Sequence, residues 1–297
     1  MEFTSPWGKL IRARDLMSQL VEIGHEHRSS DPYEYNFLSN ENDSSDRLIR
    51  MQWRVKVKKN YPQEASWLLG DIVNNIRSSL DHAVAAVARK KFGFDEDGIS
   101  GKKRLQFPIA DTPGKLGRRE LRHWFPDDVI NVIEEHQPYM DKDPDLSPLG
   151  MLRDLSNMDK HRALMVADRA MVHVNFTASP EPKDLVIKKH AATMEDGQAV
   201  LTVKFARPLQ QIEMDVRPEF HSIESVRAPG MDNWLPLALS LELIYEAAFG
   251  AVWDLTKDIM NEHDHAFARI FLSQTDERTK KIREATGIEH PTDGDET

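Results

Sequence analysis

The chain has 297 residues, room for one large domain or two small ones, and its 40% hydrophobic and 30% charged residues are the balance of a folded protein. Its 49 acidic and 39 basic side chains leave a net charge of -10. That argues against a broad basic face for duplex DNA, but not against a small basic pocket that handles a phosphate. With no cysteine, disulfides, thiolate nucleophiles and Cys-ligated zinc or iron–sulfur centres are excluded.

Ser5-Pro6 supplies a capping hydroxyl and a proline at the first helical position. Leu10, Ile11, Leu16, Leu20, Val21 and Ile23 then recur near helical spacing, predicting a helix that fades at Ser29-Ser30-Asp31. Charges scattered through the first 20 residues leave no unbroken apolar core, so no signal peptide is expected. Pro32 opens a short strand and a polar turn. From Leu48 to Lys58 apolar and polar residues alternate, which puts Ile49, Met51, Trp53, Val55 and Val57 on one face of a half-buried strand.

Pro62 begins a helix predicted to run to about Lys91, with Gly93 as its stop. A charged loop, the knot Leu105–Ile109 and the turn Pro113-Gly114 follow. Two more helices are expected, one from Asp127 to His136 and one from Ser147 to Leu164. The alternations Val172/Val174/Phe176, Leu185/Ile187 and Leu201/Val203/Phe205, with a further strand at Ile223–Val226, predict an antiparallel meander. A long apolar helix from Asn233 to about Phe271 closes the fold. Its most apolar part, Trp234 to Trp253, is broken by Glu242 and Glu246, whereas a membrane span needs roughly 20 nearly uncharged residues. It therefore reads as a buried helix, and the cytoplasm as the expected address.

These elements predict one α+β domain over 1–273, since the strands cluster instead of alternating with helices. The helical core would comprise 1–30, 62–164 and 233–271, the sheet 165–228, and a disordered acidic tail 274–297. Trp67, Trp234 and Trp253 sit in apolar-periodic stretches and read as core, not as a base-stacking platform.

Two polar clusters interrupt this pattern. The first, Asn74-Asn75-Ile76-Arg77-Ser78-Ser79-Leu80-Asp81-His82, lies inside the long helix, and such local inconsistencies tend to mark functional or strained sites. On a helix Asp81 stands roughly 40° around from Arg77, and His82 roughly 140°. Arg77 and Asp81 are thus placed to pair along one face. The second cluster is Asp154, Asn157, Asp159, Lys160, His161 and Arg162, of which Asp154, Asn157 and His161 share a helical face. Basic residues there also complement the C-terminal helix dipole. His25-x-His27 and His263-x-His265 suggest metal ligation, but residues i and i+2 diverge by roughly 200° on a helix, so no metal is assigned. No glycine-rich phosphate loop, dinucleotide fingerprint or nucleophile elbow is present, and no cofactor is expected.

The segments GDIVNNIRSSLDH and LSNMDKHRAL, with Phe107-Pro108-Ile109, resemble a family of uncharacterised bacterial proteins that carry an Arg-Ser-x-Leu-Asp-His helix and a downstream Asp-Lys-His-Arg. The first motif is also similar to the Arg-x4-6-His signature of HEPN-type RNA-cleaving domains, with Ser78 where that family often has a more polar residue. The resemblance implies His82 as general acid/base on a ribose 2′-OH and Arg77 as phosphate holder. It implies no metal, a homodimer, and a role in a bacterial toxin or phage-defence system. Asp81, Asn75, Asp154, His161 and Arg162 would support the pair. Histidine titrates near neutral pH and guanidinium offers a fixed fork to phosphate, so the chemistry is coherent. The alternative is a non-catalytic helical module that binds a protein or small nucleotide, with the clusters as a structural network between helices.

Overall fold

The computed structural model describes residues 6–41, 46–93, 105–161, 166–190, 193–208, 213–226, 234–260, 262 and 265–266. Arg162, the Asp95–Arg104 loop, the 267–271 end of the expected last helix and the 274–297 tail lie outside them.

The apolar residues of the first helix explain the rest of the helical layer. In α1 (Pro6–Ser29) the buried positions Leu10, Ala13, Met17, Leu20, Gly24 and His27 alternate in steps of three and four, one stripe along one face. That stripe packs on α2 (Glu64–Phe92), whose own buried set is broad, from Ala65, Leu69, Ile72 and Ile76 to Val87 and Ala88. Gly93, at φ 71°, ends α2 and donates its N–H to Ala88 and Arg89 carbonyls, the stop expected from sequence. Further along come a short α3 (Arg118–Leu121), α4 (Asp127–Glu135) and α5 (Pro148–His161). The last, α6 (Leu237–Thr256), lies against α1, α2, α4 and α5. Glu242, which breaks its apolar run, takes both carboxylate oxygens to Arg14 Nη1 on α1 at 2.8 and 2.7 Å, so the charge enters the core already paired.

The strands form two antiparallel sheets. β1 (Tyr33–Ser39), β2 (Leu48–Val57), β5 (Ala199–Ala206) and β4 (Val186–Lys189) make one, in the order β1-β2-β5-β4. The other contains β3 (Val166–Ser179), β6 (Glu213–Val226) and β7 (Leu235–Pro236), in the order β3-β6-β7. Ile49, Met51, Trp53 and Val55 face inward as their alternation required, joining Val203 and Phe205 against Val172, Val174, Phe176, Val216 and Phe220 of the second sheet. The result is a small sandwich with its own apolar centre, attached to the helices through the end of β6. This is an α+β fold. Among the described residues, no helix is long and apolar enough to cross a membrane.

Four details differ from the sequence expectation. The strands at 33–39 and 48–57 join the sheet assigned to 165–228, because β2 pairs with β5 from Leu48–Ala206 to Arg54–Ala199. β6 runs over fourteen residues instead of four. Pro218 lacks the N–H that a central strand needs, but among the described residues β7 pairs only with Ser225 and Val226, which leaves the edge beside Pro218 unpaired. α6 stops at Thr256, whose hydroxyl bonds back to the Val252 carbonyl at 2.6 Å while Ile259 N–H turns onto Thr256 O at 2.8 Å. Finally Trp67 is 59% exposed and not core: it lies two positions from both Ala65 and Leu69, on the opposite side of the helix from the buried stripe.

Candidate functional site

Arg77 and Asp81 pair along α2 at 3.1 Å, as their spacing predicted, but the pair is turned toward protein backbone. Arg77 Nη2 donates to the Phe107 carbonyl at 2.6 Å, and Asp81 Oδ1 accepts the Phe107 N–H at 2.9 Å. One residue of an extended segment is thereby gripped on both its polar groups, while its fully buried ring enters the core. The same segment is held twice more. Gln137, 1% exposed, accepts the Ala110 N–H on Oε1 at 2.9 Å and donates Nε2 to the Pro108 and Ile133 carbonyls at 3.0 and 2.8 Å. Arg153 on α5 binds Asp111 at the far end and Asp154 beside it, the latter at 2.7 Å. Residues 105–110 carry no ladder of their own, so side chains supply the partners that buried backbone requires.

This arrangement sets the electrostatics. Burial pulls the Arg77 guanidinium below its usual range, with the Asp81 carboxylate opposing that shift. The hydrogen bond from Arg153 holds the Asp111 carboxyl below the ordinary carboxylate range. Arg77 Nη1 is buried and has no hydrogen-bond partner.

The two motif helices do meet, through other residues than expected. Asn74 Nδ2 on α2 donates to Asp159 Oδ2 on α5 at 2.7 Å. Gly70 makes room for that carboxylate, since a Cβ there would lie 2.5 Å from Asp159 Oδ1. Asn75 bonds back within its own helix, donating to the Asp71 carbonyl at 2.8 Å. Asp154 is occupied by Arg153. His82 is half-buried on α2, and His161 closes α5.

A second polar cluster was missed in the sequence. His27, 1% exposed, lies 3.3 Å from the Tyr33 hydroxyl and 3.4 Å from Asp168 Oδ2, and Tyr33 donates to that same oxygen at 2.7 Å. The Tyr61 ring meets His27 edge-on at 4.9 Å. Burial lowers the His27 pKa, with Asp168 acting against it and Lys59 and Arg28 adding to it. Burial raises the Tyr33 and Tyr61 phenols and pushes Tyr35 up to about 12. The cluster ties the end of α1 to both sheets. Its signal was present: His27 continues the three-four stripe of Leu10 to Gly24, whereas His25 falls off it and is exposed.

Beside this cluster a cleft of about 240 Å³ runs between α1 and α6, floored by Met17, Leu20, Leu237 and Leu241. Its charges are matched within the protein, Arg14 to Glu242 and Glu224 to Arg28. Among the described residues, no group of three or more His, Asp or Glu side chains is placed to hold a metal. No family model, curated protein or solved structure matches the chain.

Proposed function

We propose that the chain is a non-catalytic binding module of the cytoplasm, in which the Arg, Asp and Asn residues of the two motifs form a structural network. The observation that carries this reading is the double grip on Phe107. A phosphate-holding arginine has to present its fork to a ligand, whereas Arg77 gives Nη2 to the Phe107 carbonyl and to Asp81. Arg153 is likewise engaged, by two carboxylates of the protein itself.

A second reading, a HEPN-like, metal-independent endoribonuclease acting as a homodimer, is favoured by one feature. Arg77 Nη1 has no partner, and His82 follows it on the same helix at the spacing such domains use. In that case His82 would take the proton of a ribose 2′-OH and Arg77 would face the phosphate.

One experiment separates the two. Purified wild type, Arg77→Ala and His82→Ala are incubated with RNA in EDTA, product ends are mapped, and melting is followed in parallel. The module reading expects intact RNA with all three proteins and a lowered melting temperature for Arg77→Ala. Cleavage by wild type to 2′,3′-cyclic phosphates, abolished in both folded variants, would overturn it in favour of the ribonuclease.

A further inference from the structure

The outer face of the four-stranded sheet carries a charge pattern that the fold itself leaves unanswered. Register places Arg50 of β2 directly opposite Lys204 of β5, with Val186 of β4 beyond it; two residues along, Gln52, Thr202 and Lys188 form the next row. Together with His190 these residues enclose a shallow concavity of about 170 Å³, and no carboxylate lines it. Its floor is polar and ordered: Thr202 Oγ1 lies 2.9 Å from His190 Nε2 and accepts from Gln52 Nε2 at 3.2 Å. Its walls are the three cations.

Neighbouring cations on the same face are matched within the protein. Lys56 pairs with Glu34 at 3.2 Å, and Arg54 donates to Gln52 Oε1 and to the Gly197 carbonyl, each at 2.8 Å. Among the described residues, Arg50, Lys188 and Lys204 make no ion pair. Like charges directly opposite on a sheet are destabilising. Lysine on an exposed edge strand has an ordinary use, since it blocks pairing with other chains, and Lys188 on β4 serves it. That account does not reach Arg50 and Lys204, which lie on β2 and β5, strands with neighbours on both sides. In a chain with ten more acidic than basic residues (49 against 39), this local reversal calls for an anion from outside. The neutral imidazole of His190 fits the same field: burial lowers its pKa, and Lys188 and Lys204 lower it further.

We propose that this face binds the phosphate backbone of a single-stranded nucleic acid through Arg50, Lys188 and Lys204, with Gln52, Thr202 and His190 as hydrogen-bonding partners. The concavity is smaller than the roughly 300–1,000 Å³ of a pocket that encloses a small molecule, so it suits a phosphate and not a buried base. No aromatic side chain lines it, so it offers no stacking platform and contacts the backbone alone. The footprint spans three strands spaced about 4.8 Å apart, too narrow for a duplex-wide electrostatic face. The inference deepens the binding-module reading and rests on it.

The test is fluorescence anisotropy of full-length protein with a short labelled oligouridylate over a range of salt. Wild type is expected to bind with salt-dependent affinity. Arg50→Gln and Lys204→Gln should weaken binding alike for oligouridylate and oligoadenylate, each reducing the salt slope by about one. Inorganic tripolyphosphate should compete, and polyglutamate of similar length should not. Absence of wild-type binding, or unchanged binding by the folded double variant R50Q/K204Q, overturns the proposal. Equal competition by polyglutamate also overturns it, in favour of an acidic protein segment. Running the titration in EDTA with the oligonucleotide checked for integrity keeps this assay apart from the question of cleavage: cleavage in the RNA assay would overturn the non-catalytic reading, and loss of binding in R50Q/K204Q with intact oligonucleotide would still support the phosphate face.

Discussion

Arg77 and Arg50 are the same residue type in opposite circumstances. Arg77 sits inside the helical layer with a carboxylate and a carbonyl against its fork, while Arg50 stands on a sheet facing another cation. A sequence motif drew attention to the first, and the geometry shows that it fastens one part of the chain to another. Nothing in the sequence singled out the second, because its partners lie about 150 residues away on other strands. The contrast separates what a charged side chain is from what is left for it to do. A cation paired within the protein is part of the architecture, and one without an ion pair is an offer to something else.

That contrast breaks most readily at the clamp. Replacing Gln137 with Leu leaves the Ala110 N–H and the Pro108 and Ile133 carbonyls without their side-chain partner, and Arg77→Ala removes the side-chain donor to the Phe107 carbonyl and the cation paired with Asp81. Each unsatisfied buried group costs about 1–3 kcal/mol, so either variant should lose at least ~2 kcal/mol in urea denaturation. A loss below ~0.5 kcal/mol for both would mean that the segment is held by Phe107 burial alone.

A smaller effect is expected from the His27 cluster, read out by pH. Because the folded state holds His27 below its ordinary value of 6.5, the unfolded chain binds the proton more readily. The corresponding stability is fully present above pH 6.5, is lost as pH falls from there toward the lowered folded value, and levels off below it. Denaturation midpoints of wild type should therefore drop between pH 7.5 and 5.5 more steeply than those of His27→Gln. Parallel slopes would show that the imidazole is not what titrates there.

The smallest effect sharpens the other side. If Arg50 and Lys204 repel with no internal compensation, Lys204→Gln should leave stability unchanged or raise it by a few tenths of a kcal/mol at low salt. A clear destabilisation would mean that the lysine has a structural partner after all, and the face would then resemble the clamp.

Much of the fold was legible because it depends on local spacing. The 3–4 stripe of α1, the alternation of Ile49 to Val55 and the Gly93 stop all read directly into structure. The site was legible only in part. The Arg77–Asp81 pair follows from i, i+4 spacing, but its target, Phe107, lies 26 residues beyond Asp81 and no local rule points to it. Arg153 stands beside Asp154, but its other partner, Asp111, comes from a loop 42 residues earlier and no local spacing points to it. Long-range pairings such as Arg50 with Lys204 depend on strand order, which alternation alone does not determine.

The stretch from Leu105 to Ala110 has one more property. It belongs to no helix or sheet, yet the amides of Phe107 and Ala110 point at Asp81 and Gln137 and are sheltered with them. In deuterated solvent these two amides should exchange as slowly as those of the helix that guards them, because both wait for the same opening event. To an observer reading protection along the chain, this irregular segment would register as part of the most cooperative unit of the molecule.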